Sequence, residues 1–447
     1  MAAGQGGGRG PGEPWVVDER LAWTLGAGMV LLVLGVLAGR PDVALLGVAP
    51  VVASLWAWGS RPRGEVWVDA ERTRVPGPDG APDSGSLTAR LHLAAPPGTE
   101  AVRVRVGRPG HTPVEALVHV PVTRQIEVAA RSVRTGPQPL FSIDHQGLGR
   151  GSHVTGPAGT STADQVLVLP RARPLADLPL PARLRGLTGH HESRRPGEGG
   201  GLRDIHPFAP GDSLRRVDWR TTARRSPGLE QLYVRRTVAL AEAMVTLVVD
   251  SRDDVGPDPA TWSGMLPVRP DDATSLDLAR QAAASIAQAS LATGDRVGLE
   301  DLGVRLRALR PGAGRRQLDR VVHQLAVLRP LGEPTRRVRP PVLPSGSIVY
   351  VFSTFLDPEA ARLAVVWRRS GHRVVAVDVL PPVRVRGTTA RERLALRIVM
   401  IEREDRLADL TSAGAEVVVW SDTSRASARL QQLARRSHRR PGSGGGR

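Results

Sequence analysis

The sequence predicts a multi-domain chain: a transmembrane helical hairpin, then an antiparallel β-sandwich, then a doubly wound α/β domain. Three observations predict it. Two uncharged runs, of nineteen and seventeen residues, lie near the N-terminus. Short period-two alternations between Pro-Gly clusters follow, the mark of half-buried strands. From about residue 241, apolar runs of strand length alternate with amphipathic helical stretches, the pattern of a parallel sheet covered on both faces. With 447 residues, the chain is also too long for one ordinary domain. The expected segments are a disordered tail over 1–20, the hairpin over 21–59, the sandwich over 64–172, a linker with a signature motif over 173–240, the α/β domain over 241–436 and a disordered tail over 437–447.

The hairpin comes first. Leu21 to Gly39 reads LAWTLGAGMVLLVLGVLAG, and Val43 to Gly59 reads VALLGVAPVVASLWAWG. At about 1.5 Å per residue the first run spans roughly 28 Å, close to the hydrocarbon core of a bilayer. Arg40-Pro41-Asp42 is the expected turn, and Trp56 and Trp58 sit where an interfacial belt belongs. A signal peptide would start basic, whereas Glu13, Asp18 and Glu19 precede the first run. Arg9 and Arg20 flank the first run, and Arg61, Arg63, Arg72 and Arg74 follow the second. The positive-inside rule then predicts a two-pass protein of the cell membrane with both termini cytoplasmic.

Composition narrows the function classes. The chain has no cysteine, which excludes disulfides, thiolate metal sites and thiol nucleophiles. The net charge is +17, but all 61 basic residues are Arg. Lys and Asn are absent and Ile is scarce, the codon signature of a GC-rich bacterium. The basic balance is therefore partly genome bias. Aromatics make up 3% of the chain, too few for base-stacking platforms, and no nucleic-acid partner is expected.

In the middle region the expected strands are Glu65–Asp69, Leu87–Leu93, Ala101–Gly107, Ala116–Val122, Gln125–Val133 and Asp164–Pro170. Arg103 and Arg105 fall on the solvent face of theirs. Pro174 to Gly201 is rich in Pro, Gly and Arg and reads as a linker, with His190 and His191 a loop feature.

Residues 201–229, GLRDIHPFAPGDSLRRVDWRTTARRSPGL, form the most informative segment. Pro210-Gly211 is a turn. Asp212 or Ser213 is placed to cap a following helix, with Leu214, Val217 and Thr221 on one face. Arg215 is spaced for an ion pair with Asp218 and a cation–π contact with Trp219. Arg224 and Arg225 suit the helix C-terminus.

This segment resembles the signature of the domain-of-unknown-function 58 (DUF58) family. The matching positions are Pro210, Gly211, Asp212, Arg215, Val217, Asp218, Trp219, Thr222, Ala223 and Arg224. Phe208 stands where the family has tyrosine, and His206 where it has arginine. Upstream, Asp144-His145 departs from the family's Asp-Pro. The resemblance implies a von Willebrand factor A-like fold for the α/β domain. It also implies a role as an adaptor or chaperone-like component in envelope assembly, beside a MoxR-type AAA+ ATPase and neighbouring membrane proteins. The signature helix would then brace the domains, the favoured reading, or present a docking surface.

A working metal site in that fold uses Asp-x-Ser-x-Ser after the first strand, with hard oxygen ligands for Mg²⁺. Here the loop is Asp250-Ser251-Arg252-Asp253-Asp254. Arg252 either takes the place of the metal or pairs with Asp250. Asp250, Asp253 and Asp254 are thus candidates for a degenerate site, and no cofactor is expected. No phosphate loop, nucleophile elbow or metal-spaced His pair occurs, so the chain is expected not to be an enzyme. The alternative is a metal-dependent ligand-binding or hydrolytic domain.

Overall fold

The computed structural model describes residues 15–73, 86–120, 122–162, 165–184, 189–303, 307–330 and 340–439. The expected tails over 1–14 and 440–447 lie outside the described residues. The chain divides into two compact units, Met1–Val133 with Pro137–Val166, and Arg134–Gly136 with Leu167–Arg447.

The first unit opens with β1 (Val16–Val17), α1 (Glu19–Leu37) and α2 (Pro41–Gly59). Both helices are long and apolar enough to cross a membrane, and only 17% of each apolar window is buried. Asp18 caps α1 by accepting from the Arg20 N–H, and Gly39 turns the chain at φ +66°. Arg40 then pairs with Asp42 at 2.8 Å. The helices pack through small residues: a Cβ on Gly35 would lie 2.3 Å from the Ala44 nitrogen, and one on Gly47 would lie 2.5 Å from the Gly28 carbonyl. Residues 15–20, expected within a disordered tail, are ordered. Trp15 is buried and donates to the Gly64 carbonyl at 2.8 Å, and β1 pairs with a later strand.

The strands that follow are β2 (Trp67–Thr73), β3 (Ser86–Ala94), β4 (Thr99–Arg108), β5 (His111–His119), β6 (Thr123–Arg131), β7 (Gly136–Pro139), β8 (Ser142–Gly149), β9 (Val154–Thr162) and β10 (Gln165–Val168). They form an antiparallel sheet of order β1-β9-β8-β4-β5 and another of order β2-β3-β6. Leu87, Ala89, Leu91 and Leu93 of β3 are buried, as are Val102 and Val104 of β4, so alternation did mark the inner faces. Arg103 and Arg105 are exposed as expected. Strands β8 and β9 carry little alternation in sequence; pairing with β4 and with each other makes them strands. The expected last strand of the sandwich is β10, which pairs with β7 and joins neither sheet.

The second unit begins where the sequence reads a linker. Residues 173–240 instead carry β11 (His191–Pro207), α3 (Trp219–Arg225) and most of β12 (Tyr233–Ala241). Strands β11 and β12 form a long antiparallel ribbon with three register irregularities. Bulges of this kind let a Gly- and Pro-rich strand pair without period-two alternation, which is why the sequence hid it. His191, at its start, bonds Asp295 at 2.9 Å rather than lying in a loop.

The α/β part then runs β13 (Met244–Val249), α4 (Ser275–Ala292), β14 (Arg296–Asp301), β15 (Leu309–Gly312), α5 (Arg315–Val327), β16 (Ile348–Ser353), α6 (Pro358–Arg369), β17 (Arg373–Asp378), α7 (Ala390–Ser412), β18 (Glu416–Val419) and α8 (Thr423–Arg439). The sheet order is β15-β14-β13-β16-β17-β18. All its pairings are parallel except that of β15, an edge strand. Val245, Leu247 and Val249 point to one face, with α4, α5 and α8; Val248, Val349 and Val351 point to the other, with α6 and α7. Two buried faces explain why these strands read as continuous apolar runs.

Candidate functional site

In an open parallel sheet the chain reverses its winding direction at one point, and a crevice opens there at the carboxyl ends of the strands. Here that point lies between β13 and β16. Their ends supply Asp250 and Ser353, β14 ends in Asp301, and β17 ends in Asp378. The register places Val249 beside Asp301 and Phe352, and Ser353 beside Asp378. Asp250, Ser353, Asp301 and Asp378 are all buried.

This edge is neutralised from within. Arg252 donates from Nε to Asp250 Oδ1 at 2.7 Å and from a terminal nitrogen to Oδ2 at 2.9 Å. Its other terminal nitrogen meets Asp357, the N-cap of α6, at 2.9 Å. Ser353 Oγ donates to Asp250 Oδ2 at 2.8 Å. Burial works against the Arg252 charge, but Asp250 and Asp357 outweigh it and hold the guanidinium above its ordinary range. At the neighbouring strand end Ser251 Oγ donates to Asp301 Oδ1 at 2.5 Å. Further along, Arg403 of α7 pairs with Asp378 and donates to the Thr354 carbonyl at 2.7 Å. Phe355 adjoins this bond with φ +55°, a left-handed conformation unusual for a bulky residue.

Of the two readings of Arg252, the geometry is that of pairing with Asp250. A divalent cation does not fit this donor set. Both Asp250 oxygens are engaged by a guanidinium, which would repel a second positive charge. Among the described residues no group of three or more His, Asp or Glu side chains gathers as metal ligands. Asp254 turns away, accepting from the Leu276 N–H at 3.1 Å and facing Arg134 at 3.5 Å; burial raises its pKa. Asp253 is half-buried, and burial followed by the charge on Asp250 pushes its carboxyl up to about 7. Sequence reasoning missed Asp301, Asp378, Asp357 and Arg403. The available signal was a single Asp closing each of two apolar strands, RVGLED and RVVAVD.

The signature segment forms a second cluster. Pro210-Gly211 makes the expected turn, with Gly211 at φ +96°. Asp212 does not cap a helix. It closes the turn by accepting from the Ala209 N–H at 2.9 Å, near His206 at 3.5 Å and Arg236 at 3.7 Å. Leu214–Arg216 is a single 3₁₀ turn, and α3 starts only at Trp219. Asp218 is its N-cap, accepting from the Thr221 N–H at 2.9 Å. Its ion partner is Arg235 of β12 at 2.6 Å, not Arg215. Those two interactions, the Thr221 N–H first, hold the Asp218 carboxyl below its usual range.

The reason is geometric. Val217 bridges to Val234, and the Asp218 N–H donates to the Tyr233 carbonyl, so extended backbone there precludes a helix from residue 213. Val217, Asp218 and Thr222 are buried against β12, while Leu214, Arg215, Trp219, Ala223 and Arg224 are exposed. The aromatic contact of this region is Arg225 over Tyr233, at 5.4 Å, in place of the expected Arg215–Trp219 pair.

No curated protein matches the chain. One family model does: the family described as a protein of unknown function, DUF58, matches residues 204–386, from the end of β11 through the signature segment to the loop after β17.

Proposed function

We propose that this chain is a membrane-anchored interaction protein, a binding rather than a catalytic component, whose partner is a MoxR-type AAA+ ATPase. In this reading α1 and α2 cross the cell membrane with both termini in the cytoplasm. The α/β part is von Willebrand factor A-like; its strand order and its antiparallel edge strand support that reading. The observation that carries the proposal is the division of the signature segment. Its inner residues lock the segment to β12, and its outer residues, including Trp219 at 62% exposure, are left facing outward. A large aromatic beside arginines is the composition of an interface anchor. Docking is therefore favoured over bracing for the outer residues, while Val217, Asp218 and Thr222 do the bracing.

The test is co-purification of the tagged full chain from gently solubilised native membranes. A MoxR-type ATPase should be recovered in a nucleotide-dependent manner. Trp219→Ala should reduce that recovery at least tenfold and leave the melting temperature within about 2 °C, since exposed substitutions cost little. Unchanged recovery would remove the docking role. The alternative reading, a metal-dependent ligand-binding or hydrolytic domain, is disfavoured by the Arg252 guanidinium on both Asp250 oxygens. Stabilisation of the full chain by Mg²⁺, abolished in Asp250→Ala, would reverse that conclusion.

A further inference from the structure

Helix α7 is packed along only part of its length. Arg403 and Leu410 are buried, and Arg406 donates to the Leu356 carbonyl at 2.8 Å, so its second half is fixed to the sheet. The opposite face carries Arg391, Leu394, Ile398, Ile401, Asp405 and Ala408, all exposed. Their spacing alternates three and four residues, the period of a helix seam that faces another helix. Leu394, Ile398 and Ile401 are 61%, 53% and 50% exposed, an apolar centre turned away from the fold.

The charges around that centre are segregated. Arg391, Arg393 and Arg397 precede or flank it, and Glu404 and Asp405 follow it; Glu402 is held by Arg406 at 3.0 Å, and Arg403 is turned inward onto Asp378. Arg391 and Arg393 in the first turn run against the helix dipole, which favours acids there. The only acid in the first turn is Glu392, bound in the capping box with Thr389, and the last turn has no basic residue. The arrangement therefore weakens the isolated helix. It becomes favourable against a surface of the reverse polarity, and the same helix in a second copy, turned end for end, is such a surface. Arg391 and Asp405 each lie seven residues from Ile398. An antiparallel pair centred on Ile398 sets Arg391 opposite Asp405 of the second copy, with the apolar residues between them. Such a contact is isologous and closes as a dimer.

We infer that the outward seam of α7 is a self-association surface, occupied by α7 of a second copy in antiparallel orientation. The chain has no cysteine, so a single introduced thiol reports one position. In native membranes Ile398→Cys should give an oxidised homodimer. Arg391→Cys expressed alone should cross-link at least tenfold less, and Arg391→Cys co-expressed with Asp405→Cys should restore the dimer. Arg391→Cys coupling to itself as well as Ile398→Cys does would overturn the antiparallel geometry. An Ile398→Cys product that joins a different protein, or no product from a folded chain, would overturn self-association. As an independent measurement, the double variant Ile398→Glu, Ile401→Glu should shift the detergent-solubilised full chain from dimer to monomer by light scattering, with its circular dichroism spectrum retained because both sites are exposed within one copy. A dimer that survives this change would also refute the assignment.

Discussion

At the scale of single residues, Arg252 decides what the sheet edge is. It bonds both oxygens of a buried carboxylate and reaches Asp357 as well. Removing one partner of a buried ion pair typically costs about 3–5 kcal/mol, because the other charge stays buried. Arg252→Ala should therefore lower stability by roughly that amount in denaturant melts, and Asp250→Ala should be milder because Arg252 keeps Asp357. Asp253 gives a pH signature. Its folded-state pKa, about 7, lies above that of an unfolded Asp, so the folded chain holds this proton more tightly. By linkage, that contribution is fully present below about pH 4 and is lost as pH rises through 7. Asp253→Asn should then melt close to the parent at pH 4 and above it at pH 8. Asp218 acts in the opposite sense: its lowered pKa contributes stability at neutral pH that is lost on acidification.

At the scale of elements, two junctions carry testable weight. The N-terminus of α4 is held by Asp277, which completes a capping box with Thr274. The same carboxylate accepts from the Thr135 N–H at 2.7 Å and pairs with Arg134 and Arg280. Arg280 also donates to the Leu325 and Leu328 carbonyls and to Thr135. Asp277→Ala should destabilise by about 3–5 kcal/mol, since it removes the paired carboxylate of buried Arg280 as well as a helix cap. The second junction is the hairpin. A Cβ at Gly35 would meet the Ala44 backbone, which cannot rotate aside. Gly35→Ala should cost about 1–3 kcal/mol by overpacking, whereas Gly26→Ala, with open space around it, should be neutral when melts are compared in one detergent.

Legibility also varied by element. The alternation of strand and helix from about residue 241 was readable because both faces of the sheet are covered, which writes continuous apolar runs into the sequence; β15, an edge strand, has no such run. The signature helix was misplaced because capping potential at Asp212 and Ser213 was indistinguishable from that at Asp218. The choice was made by Tyr233 and Val234, which hold residues 217 and 218 in extended backbone. No local pattern carries that information.

At the scale of the whole molecule, the hairpin sets the chain's expected address. The protein should stay in the membrane fraction through alkaline carbonate extraction, and reporters fused at either end should both be active in the cytoplasm. A translocated C-terminal reporter would reverse the orientation read from the flanking arginines. The two apolar spans, the alternation of apolar strand and amphipathic helix, and the signature segment can be read from residue order alone, because each is a local or periodic pattern of residue types. The folded chain adds that the supposed linker is a paired ribbon, that Arg252 rests on Asp250, and which signature residues face outward. Those outcomes depend on contacts between residues far apart in the chain, where hydrogen-bond partners and burial are set by neighbours the local sequence does not name.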